Sequence, residues 1–223
     1  MLRSTSCLQG ESGFEVSVSE RPNEYLPIAY LPGASGLWTT WEPIAAVLAS
    51  RREPLLFDYP GLGESARNPD LDSLETLADW IANELPERVD LVSLSMGSAL
   101  ALRLALEHPE RIRRLVLVTP CGGVNAPRFG ALDWRDAFRE RRPDAPTWFL
   151  EDDKDFSARL GEVRAPTLVV VGESDLIAPK AIGDHLLSHL PNAKLEVVPK
   201  ATHDLEEEDP AFLASLIEAH LRR

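Results

Sequence analysis

Residues 89–107 constrain the fold more than any other stretch of the chain. An apolar run, Val89–Leu94 broken by Asp90 and Ser93, meets a helix-like stretch, Ala99–Glu107, through the turn Ser93-Leu94-Ser95-Met96-Gly97. A serine at such a strand-to-helix turn is pushed out at the carboxyl end of a sheet, and small residues on both sides let the backbone pass closely. Ser95 is therefore the candidate nucleophile. A hydroxyl near neutral pH attacks poorly unless a base takes its proton, and that base must itself be held by a third group. Both are supplied downstream. Val169-Val170-Val171-Gly172-Glu173-Ser174-Asp175 reads as a buried strand ending in a carboxylate, and Leu195-Glu196-Val197-Val198-Pro199 as a strand followed by a loop carrying His203. The chain order is Ser95, Asp175, His203.

The rest of the sequence alternates apolar runs with amphipathic stretches, the pattern of strands and crossover helices around a mostly parallel sheet. Strands are expected at Phe14–Ser19, Leu26–Leu31, Pro54–Asp58, Val89–Leu94, Arg114–Thr119, Thr167–Gly172 and Lys194–Val198. The first alternates Val16 and Val18 with polar residues, as at a sheet edge, whereas the later ones are apolar on both faces, as buried parallel strands are. Helices are expected at Trp38–Ser50, Ser73–Leu85, Met96–His108, Lys180–Leu190 and Pro210–Leu221, with Ser73 and Asp209 as caps. Right-handed βα crossovers then give a doubly wound α/β sheet with helices on both faces and ligands at the carboxyl ends of the strands. All three candidate residues fall at that end.

At 223 residues the expectation is a single domain spanning 1–223. Its 23 basic and 36 acidic residues leave a net charge of −13, which argues against nucleic acid and anionic membranes as partners. The two cysteines, Cys7 and Cys121, have no metal-ligand spacing and form no framework, as in a reducing compartment. The amino terminus lacks a long apolar segment, and no run approaches the ~18 apolar residues of a membrane span. A soluble, cytoplasmic protein is expected.

One interval breaks the rhythm. Residues 122–164 exceed an ordinary crossover and carry Phe129, Trp134, Phe138, Trp148, Phe149 and Phe156. Long excursions inside compact domains tend to be lids or binding loops. The interval is expected to be a short lid insertion whose Trp134 and Trp148 contact substrate. The alternative is a helical insertion packing those rings on a small core of its own. Trp38 and Trp41, after the glycine loop, either wall the pocket or pack on the sheet, and Trp38 is taken as the third substrate contact.

With these residues in hand, the chain resembles the α/β-hydrolase superfamily from about Leu26 to Leu221. Besides the serine turn, Asp58-Tyr59-Pro60-Gly61-Leu62-Gly63-Glu64-Ser65 is similar to the family's Asp-x-x-Gly-x-Gly-x-Ser loop. His108-Pro109-Glu110-Arg111-Ile112 followed by Leu115–Val118 is similar to its passage from nucleophile helix to next strand, and Gly172-Glu173-Ser174-Asp175 with Pro179 to its acid turn. The order serine, acid, histidine is also the family's. The chain departs from it at Pro32, where a histidine is usual before Gly33, and at Ser93 and Ser98, where glycine is frequent. The resemblance implies a serine hydrolase in which Ser95, His203 and Asp175 form a triad. The backbone N–H groups of Ala34 and Met96 would hold the oxyanion, with no cofactor or metal. The implied substrate is a small or medium carboxylic ester or thioester. Two other functions stay open. One is a lyase or carbon–carbon bond hydrolase using the same triad, with Arg128, Arg135, Arg139, Arg141 and Arg142 binding a substrate carboxylate. The other is a catalytically silent ligand-binding protein.

Each residue also has a plainer role. Ser95 alone reads as a helix cap, and Asp175 as a turn residue. Asp204 adjoins His203, an awkward geometry for orienting its ring. His185 and His189, four apart, lack the flanking glutamate of a known metal pattern. Cys121 reads as a buried small hydrophobe, since nothing basic adjoins it. The arginines of the interval pair with Asp133, Asp136 and Glu140 if they lie on a solvated helix face.

Overall fold

The computed structural model describes residues 2–3 and 25–222. The expected strand at Phe14–Ser19 and the residue Cys7 lie outside the described residues. Six strands, β2 (Ile28–Leu31), β3 (Pro54–Phe57), β4 (Val89–Leu94), β5 (Ile112–Val118), β6 (Thr167–Gly172) and β7 (Ala193–Val198), pair in parallel in the order β3-β2-β4-β5-β6-β7. The two-residue β1 (Leu2–Arg3) pairs antiparallel with β3.

The central strands β2, β4 and β6 are buried on both faces, which is why they read as apolar runs, whereas β7, expected to be the same, lies at the sheet edge and exposes Lys194 and Glu196. Successive side chains go to opposite faces. Ala29, Leu31, Phe57, Leu91, Leu117 and Val169 meet α2 (Leu74–Glu84), α3 (Gly97–Glu107) and α5 (Lys180–His189). Ile28, Tyr30, Leu56, Val92, Val116 and Val170 meet α1 (Glu42–Leu48) and α7 (Pro210–Leu221). Helix starts follow local chemistry. Ser73 and Thr76 form a reciprocal capping box on α2, and Asp209 accepts from the Phe212 amide ahead of Pro210 on α7.

The helix expected at Trp38–Ser50 is divided. A 3₁₀ turn, Trp38–Trp41, precedes α1, whose first turn contains Pro43. Proline has no N–H to donate backwards and favours a first-turn position, so the α-helix begins beside it. Between β5 and β6 the chain forms a 3₁₀ turn (Ala126–Phe129), α4 (Arg135–Arg141) and two further 3₁₀ turns (Trp148–Glu151 and Ser157–Glu162).

Chain direction around the sheet positions the functional end. From β2 the chain moves outward to β3 and then returns to β4 on the other side of β2. This reversal opens a crevice beyond the carboxyl ends of β2 and β4, where ligands of doubly wound sheets bind. The opposite end of the sheet is fastened electrostatically. Asp90 at the start of β4 is fully buried and accepts from the guanidinium groups of Arg52 and Arg113, and both arginines also donate to the Leu221 carbonyl at the end of α7. Arg52 is itself 2% exposed. Removing one partner of such a set strands a charge in low dielectric. Asp90→Ala is expected to cost about 3–5 kcal/mol, measured by urea denaturation. A loss below about 1 kcal/mol would mean that the network does not fasten the helix.

Candidate active site

The turn after β4 carries the Ser95 hydroxyl in a conformation that side chains rarely adopt. Ser95 has φ 51°, in the left-handed region, and its amide donates to the Val118 carbonyl at the end of β5. Such a non-glycine residue is uncommon and points to a constrained turn. The small neighbours have definite reasons. A Cβ on Gly97 would stand 2.5 Å from the Pro32 carbonyl oxygen, so the start of α3 and the loop after β2 are in backbone contact. The Ser93 hydroxyl donates to the Val116 carbonyl and lies 3.5 Å from the Ser98 hydroxyl, so these two serines stay small while satisfying each other's buried oxygen.

The histidine and acid loops are joined to one another. Ser174 N donates to the Ala201 carbonyl, Glu173 N to that of Val198, and Lys200 N to the Glu173 carboxylate. A Cβ on Gly172 would fall 2.4 Å from the Ala201 carbonyl, so glycine is what lets the histidine loop lie on the end of β6. Asp175 is buried, and its Oδ1 accepts from the amides of Ile177 and Ala178, both at 2.8 Å. Its Oδ2 is 2.9 Å from His203 Nδ1, and His203 Nε2 is 2.9 Å from Ser95 Oγ. A carboxylate only accepts, so Nδ1 carries the proton and Nε2 is left to accept from the serine. The structure thus brings Ser95, His203 and Asp175 into one hydrogen-bonded chain. Asp204 instead precedes the short helix α6 (Leu205–Glu208).

The glycine loop lies against the serine. A Cβ on Gly33 would be 3.3 Å from Ser95 Cβ, and Gly36, at φ 68°, closes a turn by donating its amide to the Gly33 carbonyl. Ala34 is inside that turn. Two side chains fix the loop despite Pro32: Tyr59 Oη donates to the Pro32 carbonyl (3.1 Å) and Trp41 Nε1 to that of Leu31 (3.0 Å). Both are fully buried, so Trp41 packs on the sheet, and sequence reasoning missed this second task. Tyr59 follows Asp58, whose carboxylate accepts from the amides of Glu64 and Ser65 and so closes the loop that presents the tyrosine.

A cavity of about 300 Å³ opens beside the hydroxyl, with Met96, Ala99, Cys121, Gly122, Trp134 and Phe149 in its walls. Asp133, Arg135, Asp152, Asp153 and Lys154 contribute its polar border. Of the three tryptophans expected at substrate, Trp134 is in the wall. Trp38 bonds its indole N–H to Glu64, and Trp148 packs edge-on against Phe149 at 5.6 Å. Neither of those two lines the cavity. Three of the five arginines are engaged by the protein: Arg135 with Asp133 and the Leu150 carbonyl, Arg139 with Asp136 and Glu151, and Arg142 with the Leu62 carbonyl. His185 and His189 on α5 have ring centroids 4.2 Å apart in a tilted arrangement, with His185 Nε2 bonded to Ser157 Oγ. Among the described residues no helix is long and apolar enough to cross a membrane.

Comparison with known proteins agrees with this architecture. The Alpha/beta hydrolase family matches residues 28–161, and the chain belongs to that family; it is an α/β-fold hydrolase. It is 28% identical over 211 residues to the pimeloyl-[acyl-carrier protein] methyl ester esterase of Nitrosomonas europaea, covering 73% of this chain and 82% of that one. It is 27% identical over 223 residues to the 2-hydroxy-6-oxo-6-phenylhexa-2,4-dienoate hydrolase of Burkholderia cepacia, covering 77% and 78%. Its fold is similar to that of a thermophilic esterase from Thermogutta terrifontis, with a TM-score of 0.74 at 23% identity over 88% of this chain and 89% of that one.

One buried acid next to the histidine loop was not foreseen. Glu206 is 6% exposed, and burial pushes its carboxyl up to about 7, opposed by hydrogen bonding to its own backbone and by the charge of His203. An acid whose folded value is raised keeps a proton that the unfolded chain has already lost. Its contribution to stability therefore falls as pH rises from about 4.5 to about 7 and stays low above that. Glu206→Gln is expected to be up to about 3 kcal/mol more stable than the parent at pH 8 and close to it at pH 4, by thermal melts at both. An equal difference at the two pH values would refute the burial of an ionisable proton here.

Proposed function

We propose that the protein is a serine hydrolase that cleaves a small or medium carboxylic ester or thioester through an acyl-enzyme. The observation that carries this reading is the continuous hydrogen-bond chain from Ser95 through His203 to Asp175 beside the cavity. His203 Nε2 takes the hydroxyl proton as Ser95 Oγ bonds to the carbonyl carbon. Asp175 holds the ring tautomer and stabilises the imidazolium. The amides of Ala34 and Met96, one in the glycine turn and one directly after the nucleophile, receive the negative charge on the carbonyl oxygen. The imidazolium then protonates the leaving alcohol or thiol, and a water activated by the same ring releases the acyl group. Residues 122–164 act as a lid whose Trp134 faces the substrate. Activity on an ester agrees with the name of the Nitrosomonas relative.

The paired arginines favour this reading over a carbon–carbon bond hydrolase with a carboxylate-bearing substrate. Of the five arginines only Arg135 borders the cavity, and there its charge already faces Asp133 while its Nε–H is given to the Leu150 carbonyl.

Labelling with a fluorophosphonate probe and turnover of aryl esters of rising chain length test the proposal. Ser95→Ala is expected to lose all labelling and to reduce ester turnover by at least about 10⁴-fold. Labelling of Ser95→Ala equal to the parent would remove Ser95 as nucleophile, and labelling without turnover of any ester would remove the ester reading.

A further inference from the structure

A nucleophilic side chain beside the site has no part in the chemistry above. Cys121 lines the cavity and places Sγ 3.2 Å from Ser95 Oγ. Its position is imposed by backbone. A Cβ on Gly122 would lie 2.7 Å from the Met96 carbonyl oxygen, and one on Gly123 would lie 3.0 Å from the Leu102 side chain, so the segment after β5 rests directly on the start of α3.

Ser95 Oγ therefore has two polar neighbours, His203 Nε2 and Cys121 Sγ, but only one proton to give. With Nδ1–H committed to Asp175, Nε2 is an acceptor and needs that proton directed at it. A hydroxyl turned toward sulfur would present a lone pair to the base, and the proton transfer that starts the reaction would have no path. The thiol prevents this only if it donates. Burial pushes it up to about 11, so it keeps its proton throughout the neutral range and leaves Oγ to accept.

We propose that Cys121 is a positioning residue whose S–H donates to Ser95 Oγ and holds the hydroxyl in the rotamer that aims its proton at His203. This rests on Ser95 being the nucleophile. A thiol is a weak donor, so the expected effect on acylation is modest, about three- to tenfold. Its sign separates it from plain packing. A small apolar filler on the cavity wall is replaced by alanine and by serine alike. A donor is replaced badly by alanine and well by serine.

The experiment is the second-order rate of reaction with a fluorophosphonate from pH 5 to 9, in which the Oγ–P bond forms, fluoride leaves and the proton goes to His203. Cys121→Ala is expected to react about three- to tenfold more slowly than the parent, and Cys121→Ser at close to the parental rate, with the same pH midpoint in all three. Equal rates for Cys121→Ala and the parent, or Cys121→Ser as slow as Cys121→Ala, would overturn the proposal. So would a displaced midpoint in Cys121→Ala, which would mean that the His203–Asp175 pair had moved. If Cys121→Ala does not fold, Cys121→Val, of similar volume and without a donor, is measured in its place with the same expectation. Labelling retained in Ser95→Ala overturns the nucleophile and this proposal with it. Labelling lost there, with equal rates for the variants at 121, overturns this proposal alone.

Discussion

Two backbones lie in direct contact at the carboxyl end of the sheet, and the rest of the site depends on it. The carbonyl of Pro32, after β2, occupies the space a side chain at Gly97 would need, and a Cβ on Gly33 would crowd that of Ser95 at 3.3 Å. Close packing of this kind leaves no room for adjustment, because protein interiors are dense and transmit displacement. The serine's left-handed conformation is the local consequence. Strain of this type persists only where its surroundings over-determine it, and here the surroundings are a β4-to-β5 hydrogen bond at the serine amide and a glycine loop pressed against its side chain. On the far side of the site, Gly172 does the same for the histidine loop.

The two ends of the sheet carry different kinds of interaction. At the amino end of β4, Asp90 is surrounded by guanidinium groups that also tie down the last helix, an arrangement with no ligand space and an evident structural task. At the carboxyl end the polar groups are aimed at one another and at a cavity. Asp175 spends one oxygen on two backbone amides and keeps the other for His203, so its direction is set before any substrate arrives. Preorganised dipoles of that sort act without reorganising during the reaction.

How much of this could be read beforehand follows from which interactions are local. Strands buried on both faces advertise themselves as apolar runs, so β4 and β6 and the helix Pro210–Leu221 match the boundaries expected from sequence. Cap chemistry is local too, and Ser73 was legible as the start of α2. The three side chains singled out in order along the chain are the three that the structure links by hydrogen bonds, because each follows a recognisable strand. What was not legible is tertiary. Nothing near Tyr59 says that its hydroxyl will reach Pro32, and nothing near Arg52 or Arg113 says that Asp90 will lie between them. Trp38 and Trp134 are indistinguishable by type, yet one turns to Glu64 and the other to the cavity, a difference decided by where α1 and the 122–164 interval dock.

Charge arrangement within that interval bears on what the cavity accepts. Arg135 faces Asp133, and Arg139 faces Asp136 and Glu151, so the charge of each guanidinium is offset before any ligand arrives. Such exposed pairs contribute little to stability, typically about 0–1 kcal/mol each, so their effect is better sought in recognition. On the cavity border Arg135 offsets Asp133, and Asp152, Asp153 and Lys154 leave that border one acid in excess, in a chain of net charge −13. An anionic substrate would meet that acidic border and enter against the field of the whole molecule. A neutral acyl compound pays neither cost, and the dry wall formed by Ala99, Trp134 and Phe149 rewards its apolar part in proportion to the surface it removes from water.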